Sequence, residues 1–457
     1  MQVDTGDTVF IILSTALVFL MVPGLGFFYG GLVRKKNLLN IMACSFVMIA
    51  VISIMWVVCG YSLAFGPDHG HIIGGLDFFG FHGVGSTPNP DYAATVPQSG
   101  FAIFQMMFAV ITPAIISGAV AERIRFGVFI VFGLVWSVLV YLPVAHWIWG
   151  TGGWLKNLGV LDFAGGNVVH VAAGVSALVA ALVLGKRRAF GHTPIVPHNI
   201  PFVALGTAIL WFGWMGFNGG SALAAGGVAV NAILATHLSA CTAMLVWMAI
   251  EWKLTGKPSL LGALTGAVVG LSAVTAGAGY IAPVWAIVIG AVASLLSYAV
   301  ISKVKSTFLY DDALDVFACH GVGGIWGIIA VGLFASRGAN PAGNNGLFYG
   351  NPLQLAVQLL SLVVVIVFVG LLTFVILKVM SKVAKLRVAD EEEYDGLDSS
   401  QHDEEAYPRD DAFFRGMLLA PASGGEGSES TRRRRYRQKK QLVTAGIDTE
   451  DHEGNEQ

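Results

Sequence analysis

Two histidines stand where an apolar chain would not be expected to keep them. His170 lies in "DFAGGNVVHVAAG", eight residues, or about two helical turns, beyond Asp162. His320 lies in "DVFACHGVGG", about 150 residues later and five beyond Asp315. An ionisable group inside a bilayer costs a few kcal/mol on insertion scales. One intramembrane histidine is usually a hydrogen-bonded core residue. Two at matching places in two halves of a chain are better explained by a shared pathway, because imidazole both donates and accepts protons. A histidine pair also raises haem ligation, but the flanks lack the further histidines a b-type haem protein uses. Asp162 is followed by Gly165 and Gly166. Its carboxylate can cap a helix start or touch a substrate, and both readings stand.

A second group is aromatic. Phe108, Trp149, Trp214 and Phe217 sit toward one end of their spans, with Ser221 close by in "GWMGFNGGSA". They form either an interfacial belt or a cation–π cup for a small cation with a hydroxyl beside it. His237 is a third membrane histidine, with no expected role beyond a local hydrogen bond. The loop 66–99 holds His69, His71 and His82 without metal-ligand spacing. The chain has no Walker A, no GxSxG in a strand–helix setting and no HExxH. Neither an enzyme, a metal site nor a cofactor is expected.

The elements that must position these residues are membrane helices. The 457 residues are 55% hydrophobic and 12% charged, about half the charged share of a soluble domain. Cys44, Cys59, Cys241 and Cys319 are dispersed and read as small buried hydrophobes. The first apolar run is too long, and too poor in Lys and Arg at its start, for a signal peptide. Eleven spans are predicted near 8–33, 38–65, 100–121, 126–148, 164–185, 202–224, 228–252, 259–279, 281–302, 313–336 and 353–384.

Basic clusters follow every odd-numbered span: Arg34–Lys36, Arg123 and Arg125, Lys186–Arg188, Lys253 and Lys257, Lys303 and Lys305, and Lys378–Arg387. The opposite loops hold only Lys156 and Arg337. The positive-inside rule then places the N-terminus outside and the C-terminus inside. Five spans followed by five more must insert upside down relative to each other, with a site near the midplane. The predicted fold is an all-α integral membrane protein: eleven transmembrane helices, an inverted five-plus-five repeat plus one extra helix. Its 57 glycines read mainly as helix-packing residues. The expected domains are a membrane unit at 1–387, a tail segment at 388–407 and a disordered extension at 408–457. The run "RRRRYRQKK" in that extension can contact anionic lipid or stay solvated.

"MVPGLGFFYGGLVRKKN", "GAVAERIRF", "DFAGGNVVH", "VPHN", "GWMGFNGGSA", "GKPSLLGALTG" and "DVFACHGVGGIWG" together resemble the ammonium transporter / methylammonium permease / Rhesus family. The resemblance covers about residues 8–407 and favours the ammonium transporter branch, because Ser221 and the tail motif are present. It implies that His170 and His320 are the paired pore histidines. Phe108 and Phe217 match the phenyl gate. Phe108, Trp149 and Ser221 match an external ammonium site, with Asp162 beside it. Trp214 and Thr275 match pore-lining positions, although Thr275 lacks the proline that often follows it. Gly396, Asp398, His402, Glu404 and Tyr407 resemble a cytoplasmic regulatory segment. The resemblance implies a homotrimer in the cell membrane and a PII-type regulator. The expected substrate is ammonium or ammonia, with methylammonium as analogue, and no nucleic acid is involved. An ammonium sensor acting through the tail is the competing expectation. A Rhesus-like gas channel fits Ser221 and Trp149 poorly.

Overall fold

The computed structural model describes residues 2–407. The basic run of the extension lies outside them. The long apolar helices are α1 (Thr5–Leu32), α2 (Lys35–Phe65), α3 (Gln98–Val120), α4 (126–149), α5 (Gly166–Leu184), α6 (Ile200–Gly220), α7 (Gly227–Thr255), α9 (Pro283–Phe308), α10 (Phe317–Phe334) and α11 (Pro352–Val383), with the shorter apolar α8 (Leu260–Val274) between α7 and α9. Among the described residues, ten helices are long and apolar enough to cross a membrane; α8 is apolar but shorter. The chain is an all-α integral membrane protein, with one small ribbon among the described residues, Asp68–His69 against Ile73–Gly74.

Local chemistry sets the helix ends. Asp4 accepts from Asp7 N–H at 2.9 Å, Asn199 from Phe202 N–H at 2.9 Å and Ser259 from Gly262 N–H at 2.8 Å, the side-chain caps that free helix starts need. α9 begins at Pro283, where a missing N–H costs nothing. α8 ends earlier than the predicted 259–279. From Thr275 the chain runs through turns to Tyr280. The Phe163 ring fills the space a side chain at Gly279 would need, so this stretch is shaped by packing rather than by helix propensity.

α5 and α10 form the centre. His170 N–H reaches back five residues to the Gly165 carbonyl at 3.0 Å, so α5 opens as a wide π turn, Gly166–Val171. α10 opens the same way over Phe317–Val322. Such turns are rare and gather at functional sites. The two helices cross through glycine. A methyl at Gly174 would collide with the Gly321 backbone, and one at Gly324 would lie 3.0 Å from the Val171 nitrogen. Val171 and Gly321, like Gly174 and Gly324, differ by the same 150 positions that separate His170 from His320. That reciprocity is a local two-fold relation between the halves.

The same relation corrects one pairing. The counterpart of Asp162 is Asp312, eight residues before His320, and not Asp315. Asp312 Oδ2 accepts from the Phe317 N–H at 2.7 Å, as Asp162 does in α5. Asp315 matches Gly165 instead: both hold positive φ, 57° and 113°. Asp315 carries an ion pair to Lys305 at 2.6 Å. Burial pushes the pKa of Asp312 up to about 6.

The basic connectors gather at one end, here called the lower end. Glu122 accepts from Arg34 N–H at 2.8 Å and pairs with Arg34 and Arg187 at 2.9 and 3.2 Å. Arg187 pairs with Asp311 at 2.8 Å. One buried network thus ties the turns after α1, α3 and α5 to the start of α10. Burial alone would raise the Glu122 pKa, but Arg187 and Arg34 outweigh it and the pKa is lowered. A depressed carboxylate stabilises the fold above its unfolded value, near 4.5, and loses that contribution as pH falls through the folded value. Glu122→Gln keeps the shape but gives up the charge that the two guanidinium groups bind, and is therefore expected to cost about 1.5–3 kcal/mol at pH 7, and the gap to wild type should close on acidification below about 4.5. Thermal unfolding in detergent at several pH values measures it; a gap that widens toward acid would contradict the assigned charge state.

Candidate functional site

Each half-helix brings its histidine to the same point. His170 and His320 Nδ1 atoms lie 3.1 Å apart, with ring centroids at 5.2 Å and an interplanar angle of 18°. Only one of the facing nitrogens can hold the shared proton when both rings are neutral. Both side chains are buried, and among the described residues His170 Nε2 finds no hydrogen-bond partner. Trp214 stacks on His170 at 5.4 Å and Phe217 lies at 6.1 Å.

These groups line a cavity closed mainly by Leu25, Ile115, Val169 and Val268. Its free volume is about 10 Å³, near the minimum for one water. Above it opens a vestibule of about 600 Å³, lined among others by Trp149, Ser221, Asp162, Gln105, Lys156 and Tyr280. Below it lies a second hollow of about 340 Å³, reached by Phe28, Arg187, Lys305, Asp315 and Cys319. Phe108 touches a residue of each of the upper two spaces. Its ring sits 4.2 Å from Phe217, which lines the cavity, and 6.0 Å from Trp149, which lines the vestibule. Phe108 is wholly buried.

The vestibule is built from hydrogen bonds. Trp149 Nε1 donates to the Asp162 carbonyl at 2.8 Å. Ser221, which lines the vestibule, donates its Oγ–H to the Phe217 carbonyl at 2.9 Å. The Asp162 carboxylate accepts four backbone N–H groups: Gly165 at 2.8 Å and Gly166 at 2.6 Å on Oδ1, Asn167 at 2.7 Å and Val168 at 3.3 Å on Oδ2. Of the two open readings, these contacts favour the cap: the carboxylate is spent on the helix start. Gln358 of α11 holds the preceding turn through both Leu161 backbone groups, at 2.9 and 2.6 Å. Thr275 stands behind the indole of Trp214, which lines the cavity. It is buried and its Oγ accepts from Trp214 Nε1 at 2.9 Å, so it orients the indole. His237 lies away from the site, 3.5 Å from Cys241 Sγ and 5.4 Å from the Trp211 ring; the expected local bond is what it makes.

Sequence reasoning missed His146. It is fully buried, with Nδ1 2.9 Å from the Ala64 carbonyl and Nε2 2.9 Å from Asp68, tying the loop 66–99 to α4 one turn before Trp149. The available signal was its own line, "AHWIW", which puts a histidine beside the vestibule tryptophan.

The tail segment seats against the lower end. Two short helices, α12 (Asp390–Asp395) and α13 (Leu397–His402), follow α11. Asp398 Oδ1 accepts from Asn40 N–H at 2.8 Å, capping the start of α2. His402 meets Asn40 at 3.0 Å and packs edge-on against Phe126 at 4.7 Å. Gly396 holds φ 107°, and a side chain there would meet the Lys36 carbonyl at 2.6 Å. Glu404 contributes its backbone N–H to the Asp398 carbonyl at 3.2 Å. Tyr407, the last described residue, is half exposed.

The family model described as Ammonium Transporter Family matches residues 9–407. The ammonium transporter of Bacillus subtilis is 50% identical over 402 residues, covering 88% of this chain and 98% of that protein. The crystal structure of Saccharomyces cerevisiae Mep2 superposes with a TM-score of 0.80 at 36% identity, covering 86% of this chain and 89% of that one. A solved sensor Amt protein superposes with a TM-score of 0.81 at 31% identity, covering 87% and 98%. The chain shares half its aligned residues with one such transporter, superposes on solved relatives, and matches the family model over nearly its whole described length: this chain belongs to the ammonium transporter family.

Proposed function

We propose that the chain moves ammonium across the cell membrane by parting it into ammonia and a proton at the upper vestibule. The observation that carries this is the cavity: two imidazoles in hydrogen-bond contact inside a space of about 10 Å³, shut off by the Phe108–Phe217 pair. Moving a bare cation through such a lumen costs on the order of 20 kcal/mol by idealised Born estimates. Ammonium has a cheaper course. Its pKa lies about two units above neutral, so giving up a proton costs about 3 kcal/mol at roughly 1.36 per unit. Neutral ammonia then crosses the apolar stretch. Potassium has no proton to lose and is refused. Selectivity follows from this difference in cost.

Phe108, Trp149 and Ser221 attract and orient the cation. Trp214, held by Thr275, walls the cavity beside His170. The imidazole pair hydrogen-bonds ammonia and relays the separated proton, so transport carries charge. The weakly basic loops around the vestibule make that end external. The chain works as a homotrimer, one pore per subunit, and the seated tail offers a lower-face contact for a PII-type regulator.

An ammonium jump applied to proteoliposomes on a supported bilayer tests this. A transient current with ammonium and methylammonium, absent with potassium, is expected; no ammonium response, or equal potassium response, would overturn it. The likeness to a sensor Amt protein favours a second reading, a receptor acting through its tail. Growth rescue of a cell lacking ammonium uptake separates the two: rescue supports transport.

A further inference from the structure

Lys156 lies on a single helical turn, Trp154–Asn157, at the rim of the vestibule. Its Nζ donates to the Trp149 carbonyl at 3.0 Å and stands 5.6 Å over the Tyr92 ring. An aromatic face and an oxygen acceptor are also what the vestibule offers a free ammonium ion. The lysine is therefore a primary ammonium tethered beside the recruitment residues, on the backbone of Trp149 itself. The charges around it are few. Asp162 also lines this space, but its carboxylate is occupied by backbone N–H groups. Asp91 is the other charged residue on the wall.

We propose that Lys156 tunes the ammonium affinity of the vestibule: a fixed ammonium that repels incoming cations and sets the half-saturation concentration for ammonium, with Asp91 acting in the opposite sense. The inference rests on the proposed transport reading. It has a definite sign. If the contact to Trp149 were only a prop for the indole, losing it would weaken recruitment. As a repelling charge, losing it strengthens recruitment.

The test uses the full chain in proteoliposomes, with initial currents read against ammonium concentration. Lys156→Gln is expected to lower the half-saturation concentration about two- to tenfold, the scale of one unit charge at vestibule range, with maximal current within about twofold of wild type. Lys156→Arg keeps the wild-type value, and Asp91→Asn raises it. The Lys156→Gln effect should shrink when a non-permeant salt is raised from about 10 mM to about 150 mM, which shortens screening from about 30 to about 8 Å. An unchanged or higher half-saturation concentration in Lys156→Gln, or an effect indifferent to salt, overturns the proposal. A wild-type protein that passes no ammonium current would instead count against the transport reading.

Discussion

His170→Leu is expected to reduce ammonium-evoked current at least tenfold while leaving potassium excluded. Leucine keeps the cavity full and apolar, so nothing opens a wet path. What it removes is the partner for a neutral ammonia molecule that has left its water behind. An unpaired polar solute in an apolar space forfeits about 1.5–3 kcal/mol, which is about ten- to a hundredfold in rate at 1.4 kcal/mol per decade. It also breaks the His170–His320 contact at 3.1 Å, and with it the proposed proton relay. Currents in supported bilayers, on variant protein that elutes at the same position as wild type, provide the measurement. Wild-type current and selectivity in this variant would refute the histidine pair as the conducting element.

Asp162→Ala is the second large effect, and it falls on the fold before it falls on flux. Four N–H groups at the start of α5 end on this one carboxylate. A buried donor left without an acceptor costs about 1–3 kcal/mol. Because Asp162 also lines the vestibule, water can reach some of these donors, so the expected loss is about 3–5 kcal/mol rather than the full total. The turn also supplies the carbonyl that holds the Trp149 indole, so residual protein should recruit ammonium poorly. Asp162→Asn keeps one accepting oxygen and turns an NH₂ toward the remaining donors. It should lose a large part of the same stability. Unfolding followed by intrinsic fluorescence in detergent measures both. An alanine variant within about 1 kcal/mol of wild type would mean the carboxylate is not the cap its contacts describe.

Much of the membrane architecture was open to reading in the sequence because it is carried by composition over some twenty residues at a time. Apolar length marks a span whatever it packs against, and loop arginines and lysines mark a side of the membrane. The histidines stood out for the same reason: charge-bearing groups are rare at depth, and two at equivalent positions invite one explanation. The aromatic and serine positions came through resemblance, since a tryptophan near a helix end fits a lipid interface as well as a cation site.

What stayed hidden depends on partners remote in the chain. Glu122, Arg187 and Asp311 looked like unrelated loop charges until the fold brought three connectors together. Asp315 looked like the partner of Asp162 because it stands closer to His320 along the chain. The hydrogen bond from Phe317 N–H to Asp312 gives that role to the more distant residue. The bond from the Trp214 indole to the Thr275 hydroxyl joins two helices and has no trace in local spacing. Lys156 was counted only as a weak charge on one side of the membrane; its seat on the Trp149 carbonyl cannot be inferred from spacing.

The sequence alone determined a many-helix membrane protein with two buried histidines in equivalent halves, because hydropathy and the cost of buried charge act locally and leave their mark on residue types. Tertiary structure decided that the two rings touch, that the space around them is too small for a hydrated ion, and which carboxylates cap and which pair. Those properties depend on close backbone approach at Gly174, Gly321 and Gly324. A missing side chain records that an approach is possible, and only the packed chain shows what makes it.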